Sequence, residues 1–160
     1  MKRLLILFSL FIGLSLQAQV LPGIVESSGG GGTSNMISNG TFDSDSDWTV
    51  GANWVIADGG ASYDNGAESG IYQSQEDMVT GMEVSSSYTL SFNSTGASNY
   101  FRILNAASTY NYSGSTYVSI VTGYNEISLT TSTSIGGGGL YIGSLPGGAV
   151  TIDDVVLIKN

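Results

Sequence analysis

The 160-residue chain predicts an all-β fold, an antiparallel β-sandwich or barrel of roughly eight to ten strands. Three observations carry this reading. Apolar residues come in short runs, several with strict alternation, as at Tyr88, Leu90 and Phe92 against Thr89, Ser91 and Asn93. Turn signals such as Asp58-Gly59-Gly60, Asp64-Asn65-Gly66 and Pro146-Gly147-Gly148 fall between the runs. Beyond the first residues, no window holds a long stripe of period 3.6.

The elements follow in order. Residues 1–18 read as a secretory signal: Met1-Lys2-Arg3 is the positive start, 4–16 the apolar stretch, too short to span a bilayer comfortably, and cleavage falls after Ala18. Residues 19–34, with Ser27-Ser28-Gly29-Gly30-Gly31-Gly32, cannot bury apolar area and read as a flexible Gly/Ser-rich linker. Residues 35–160 form one module, long enough for a core without disulfides. Strands are predicted at 35–42, 54–57, 61–63, 71–75, 85–94, 101–104, 116–121, 123–131, 140–142 and 150–158. In 140–142, Leu140 and Ile142 share one face and Tyr141 takes the outer one.

The last strand contains a conflict. Val150, Ile152, Val156 and Ile158 share their parity with Asp154, while Val155 and Leu157 share theirs with Asp153. Either a bulge turns the strand between Ile152 and Val155, or a carboxylate is buried and satisfied. An edge strand with Asp as a guard against aggregation stands beside a metal or buried hydrogen-bond role.

Composition excludes much chemistry. With no Cys there are no disulfides, no thiolate nucleophile and no Cys-held zinc or iron. With no His the usual general base and the commonest transition-metal ligand are missing. Removing the leader leaves Arg102 and Lys159 against thirteen acidic residues, a net charge of −11. Such a surface repels phosphate backbones and anionic membranes, so neither nucleic acid nor a membrane surface is a partner, and nothing inserts in a membrane after signal cleavage. It favours solubility and divalent cations.

Two acidic phrases bracket the module. Asn39-Gly40-Thr41-Phe42-Asp43, then Trp48, stands near its start, and Thr151-Ile152-Asp153-Asp154-Val155-Val156-Leu157 at its end. A carboxylate in a sandwich interior needs a cation, good donors or a proton. The run from Asn35 to Asp43 with Trp48, the segment Trp48-Thr49-Val50-Gly51-Ala52-Asn53-Trp54-Val55-Ile56-Ala57-Asp58-Gly59-Gly60-Ala61, the central Tyr88-Thr89-Leu90-Ser91-Phe92 and the closing phrase together resemble carbohydrate-binding modules with a galactose-binding-like jelly roll, in the group of families 4, 9 and 22. Similar modules occur on viral tail appendages and bacterial surface proteins. The resemblance spans 35–160 and implies a structural calcium between positions 43 and 153, hence Asp43 and Asp153 as metal ligands. Calcium wants several hard oxygens, which agrees in outline, but many relatives carry Glu where Asp43 stands, a longer reach. Asp43-Ser44-Asp45-Ser46-Asp47 lacks the glycine and the closing Glu of an EF-hand loop, Trp54 falling at its twelfth position, and reads as a solvated turn.

Sugar-binding faces pair aromatic platforms with amides and charged groups. The candidates are Trp54, Tyr72 beside Gln73, Tyr100, Arg102, Tyr110, Tyr112 and Tyr141. Tyr110, Tyr112 and Tyr141 are read as exposed, while Trp48 and Trp54 have the burial habit of core residues. Arg102, the sole Arg beyond the leader, suits a bidentate contact to a sugar acid or, more commonly, an ion pair with a local carboxylate. No Glu-x-Asp-x-Glu string of a jelly-roll glycosidase occurs, and serine lacks a His base, so catalysis is not expected. Two functional readings remain: a secreted, extracellular or periplasmic module that binds a polysaccharide or glycan, and a structural or adhesion module that binds a cell-surface or appendage protein. Clustered exposed aromatics favour the first, scattered ones the second.

Overall fold

The computed structural model describes residues 34–105, 107, 111–136 and 138–160. The leader assigned to 1–18 and the linker of 19–34, apart from Ser34, lie outside these residues, as does Tyr110. Ten strands are described: β1 (Thr49–Val50), β2 (Trp54–Ala57), β3 (Gly60–Tyr63), β4 (Ser69–Gln73), β5 (Ser87–Ser94), β6 (Ser98–Leu104), β7 (Val118–Ile120), β8 (Gly123–Thr130), β9 (Leu140–Ser144) and β10 (Val150–Lys159). They make two five-stranded sheets. The order is β1-β4-β9-β6-β7 in the first and β2-β3-β10-β5-β8 in the second, with every ladder antiparallel. This is the predicted all-β sandwich, at the upper end of the predicted strand number.

The core sits between the sheets because alternate residues of both point there. Tyr88, Leu90 and Phe92 of β5 are buried, as are Phe101 and Ile103 of β6 and Leu140 and Ile142 of β9. Phe92 and Phe101 meet across the two layers, ring centroids 5.7 Å apart. Trp48 and Trp54 both lie in this core, Trp48 against Phe42 at 5.2 Å and Trp54 against Tyr63 at 5.5 Å. Each indole N–H donates to a backbone carbonyl, of Asn39 and of Ser69, so neither buried ring strands a donor.

The conflict in the last strand is resolved by a bulge. The β10–β5 register shifts between Asp153 and Val156, and Asp154 takes a left-handed backbone with φ of 53°. One inserted residue resets the parity, so that Val150 and Ile152 before it, and Val155 and Leu157 after it, all point into the core. Asp153 is half-buried and Asp154 exposed, its carboxylate accepting from Asn93 Nδ2 at 2.8 Å. β10 is flanked by β3 and β5, so it is a central strand and not the edge that an aggregation guard would need.

The predicted first strand at 35–42 is a correction. This segment runs beside β10 without forming a regular ladder. Met36 N–H donates to Leu157 O, Val155 N–H donates to Gly40 O, and Asn35 Oδ1 accepts from Leu157 N–H. Left-handed backbone at Asn39 and Phe42 breaks the extended run. It nonetheless buries Met36, Ile37 and Phe42. The two-residue β1 was absent from the sequence reading.

Candidate functional site

The outer face of the first sheet gathers most of the aromatic candidates. Register sets them in rows. Tyr72 of β4 lies opposite Tyr141 of β9, and Tyr141 opposite Leu104 of β6. In the next row Gly70 lies opposite Gly143, and Gly143 opposite Arg102. Since Ile71, Ile142, Phe101 and Ile103 face the core, their strand neighbours Tyr72, Tyr141 and Arg102 face out. Tyr100, on the same strand as Arg102, is 46% exposed. Tyr117, just before β7, meets Tyr100 edge-on with centroids 5.9 Å apart.

Arg102 joins these rings. Its guanidinium lies 5.9 Å from the Tyr117 ring centroid, a cation–π geometry, and its Nη1 pairs with Glu68 Oε1. The Arg102 side chain is 26% exposed, yet its Nε is buried without a hydrogen-bond partner. Burial raises the Tyr141 phenol above the ordinary tyrosine range, the Glu68 charge and Tyr63 add to that, and Arg102 opposes it. One face thus offers half-buried and exposed phenol rings, a guanidinium with donor capacity to spare, and a carboxylate held in place by it. Rings take the apolar faces of flat, hydroxylated molecules, and the ion pair presents donors and acceptors side by side.

Other candidates lie elsewhere. Gln73 is fully buried, on the same inward parity as Ile71. Its amide closes on the backbone of Ser38, taking Ser38 N–H and donating to Ser38 O. Trp54 is in the core, where its hydrogen bond to Ser69 O holds it. Tyr112, expected to be exposed, is buried, and its hydroxyl has no partner. These three are not on the outer face. Arg102 pairs with a local carboxylate, the more common of the two readings of it. Tyr117 and Glu68 were missed; a signal for Glu68 existed, a charge directly before a strand in a chain with a single Arg beyond the leader.

The acidic end is a separate region. Asp43 and Asp153 are close enough that the Asp43 charge helps raise the Asp153 carboxyl above its ordinary value. Burial is the largest cause there, the Asp154 charge adds, and the hydrogen bond from Asp154 N–H opposes. Asp43 Oδ2 accepts from Thr41 Oγ1 at 2.8 Å, and its N–H donates to Asn39 Oδ1. Among the described residues no group of three or more acidic side chains is placed to hold a metal. The run Asp43-Ser44-Asp45-Ser46-Asp47 is an exposed turn, as read, tied down by Asn39 Nδ2 donating to Ser44 O and Ser46 O.

No family model matches the sequence, and no curated protein matches it. Fifteen solved chains match in structure, among them one described as "CBM4 structure and function". It is 17% identical, the match covers 78% of this chain and 99% of that one, and the TM-score is 0.50. At that identity the likeness concerns the backbone and not the ligand. Together with the two five-stranded antiparallel sheets, it shows that the chain has the jelly-roll β-sandwich fold, like that of the carbohydrate-binding module.

Proposed function

We propose that the chain is a secreted, non-catalytic module that binds a neutral glycan on the outer face of its first sheet. The observation that carries this is the clustering of Tyr72, Tyr141, Tyr100 and Tyr117 around the Arg102–Glu68 pair on one face. Clustered rings favour sugar over the protein-binding alternative, for which scattered apolar residues would speak. Arg102 is already paired and the chain without its leader carries a net charge of −11, so an acidic polysaccharide meets repulsion. Secretion rests on the leader sequence of residues 1–18.

A structural calcium belongs to the same proposal. Asp43 and Asp153 are hard oxygen donors brought near one another, and each keeps one carboxylate oxygen free of protein donors among the described residues. Calcium there would be held by these two side chains and would cancel their repulsion.

Affinity electrophoresis of the protein against a soluble mixed-linkage β-glucan, a β-1,3-glucan, a β-1,4-xylan and polygalacturonate, with calcium present, tests the reading. Retardation by a neutral polymer is expected, with Tyr100→Ala and Arg102→Ala each weakening it by about tenfold, the scale of one stacking or charge-assisted contact. Silence across the panel defeats the reading. Binding that survives Tyr100→Ala, Tyr141→Ala and Arg102→Ala together moves the site off this face.

A further inference from the structure

Side chains of a strand normally stand away from the sheet. Tyr141 does not. A Cβ placed on Gly143 would have its three nearest atoms, Cε1, Oη and Cζ of Tyr141, within 2.8 Å. A Cβ on Gly70 would likewise meet Tyr141 Cζ and Oη, and also the Ile142 carbonyl at 2.5 Å. The ring therefore lies down across the cross-strand pair Gly70–Gly143, with its far end over both. Neither glycine adopts a positive φ, so backbone conformation does not require them. Glycine weakens a strand interior by roughly 0.5–1 kcal/mol against Ala, and here two such residues sit paired in the middle of a five-stranded sheet. What they supply is room for a reclining ring.

Resting on the glycan reading above, we propose that Gly143 and Gly70 are positioning residues that lay the Tyr141 ring flat along the sheet as the central stacking platform of the site. A reclining ring turns its broad π-face outward, where an upright ring would offer an edge. Tyr72 on one side and the Arg102–Glu68 pair beyond Gly143 then flank a flat floor instead of a ridge. A sugar ring stacks on a face and not on an edge.

Gly143→Ala is the discriminating variant, because the atoms its methyl displaces are the far end of one flexible side chain, whereas at Gly70 a backbone carbonyl is also in the way. The expected result is at least tenfold weaker binding to whichever neutral polysaccharide of the panel is retained, with the melting temperature unchanged or raised. Tyr141→Phe keeps the platform and should bind within about threefold of the parent. A readout independent of sugar is the tyrosine absorbance titration, with Tyr141→Phe used to assign the Tyr141 step. In Gly143→Ala that step moves down toward the ordinary value, because the lifted ring is wetter. Should Gly143→Ala be destabilised instead, the same change in a Tyr141→Ala background tells why: relief of the defect there supports displacement of the ring, and an equal defect in both backgrounds overturns it. If Tyr141→Ala abolishes binding while Gly143→Ala binds as the parent does with its Tyr141 titration unmoved, the positioning role is wrong and the glycan reading stands. If no polysaccharide is retained, both fall.

Discussion

At the scale of single residues, two buried or crowded groups both favour their protonated form in the fold, in different pH ranges. Tyr112 carries a hydroxyl that is buried without a partner, and burial pushes its pKa well above the ordinary 10.0. The neutral phenol is favoured in the fold, so above about pH 10 the unfolded chain sheds this proton first, and stability falls as pH rises. Tyr112→Phe removes both the orphaned hydroxyl and that slope. It is expected to be neutral or stabilising by about 1 kcal/mol at pH 7, and more so at pH 11, by urea denaturation. Asp153 has its folded pKa raised from 3.8, first by burial, then by the neighbouring Asp154 and Asp43 charges. Its contribution is fully favourable below 3.8 and is lost as pH climbs through the folded value. In chelator, Asp153→Asn should therefore be the more stable protein at pH 7, by less than about 1 kcal/mol, and the gap should close in acid. With calcium added the order should reverse, since the variant gives up a ligand. A parent protein whose melting temperature ignores calcium would end the metal proposal. The positions of these residues were unequally legible. That Asp43 and Asp153 approach one another was implied by the family resemblance that the bracketing phrases carry. The burial of Tyr112 did not, because it lies in a loop whose path is set by tertiary packing and not by any period. Gln73 was legible and misjudged: it shares the parity of Ile71, and its buried amide is tolerated because Ser38 satisfies it on both sides.

Among the elements, β10 shows what strand periodicity can and cannot say. The alternation that located β5, β8 and β9 is a local signal, and all three appear where it placed them, give or take a residue or two at their ends. In β10 the same signal breaks at Asp153-Asp154, and the break is itself informative, since only an inserted residue lets two aliphatic side chains before it and two after it reach one core. The segment at 35–42 misled because its apolar residues are buried as a strand's would be, while Asn39 and Phe42 in left-handed backbone stop it from forming a ladder. Asp154 bears the bulge's backbone strain, so its substitutions invert the usual strand order. Asp154→Gly should be more stable than Asp154→Ala by about 1 kcal/mol, the cost of a Cβ in the left-handed region. Both lose the bond from Asn93, so the difference isolates backbone conformation. Deleting Asp154 should turn Val155 and Leu157 outward, forfeiting roughly 1.5–3 kcal/mol for each. That approaches the whole stability of a domain, and circular dichroism at room temperature should show an unfolded chain.

Across the whole molecule, charge imbalance governs both stability and choice of ligand. The formal net charge is −9. The two cations among the described residues are already engaged, Arg102 with Glu68 and Lys159 with Glu83 at 2.7 Å. The remaining carboxylates repel one another through the folded globule more than through the expanded chain, so self-repulsion is a cost of folding. Sodium chloride shortens its reach, with a screening length of about 30 Å at 0.01 M and about 8 Å at 0.15 M. Raising the salt across that range, in chelator to keep calcium out, should lift the melting temperature by about 2–4 °C, the equivalent of about 1 kcal/mol for a chain of this size. A neutral polysaccharide on the tyrosine face feels none of this field, so its affinity should stay within about twofold over the same range. Polygalacturonate should remain unbound at low salt, where repulsion is greatest. If instead it binds at low salt and is released as salt rises, Arg102 is exchanging Glu68 for a ligand carboxylate, and the site reads acidic sugars after all.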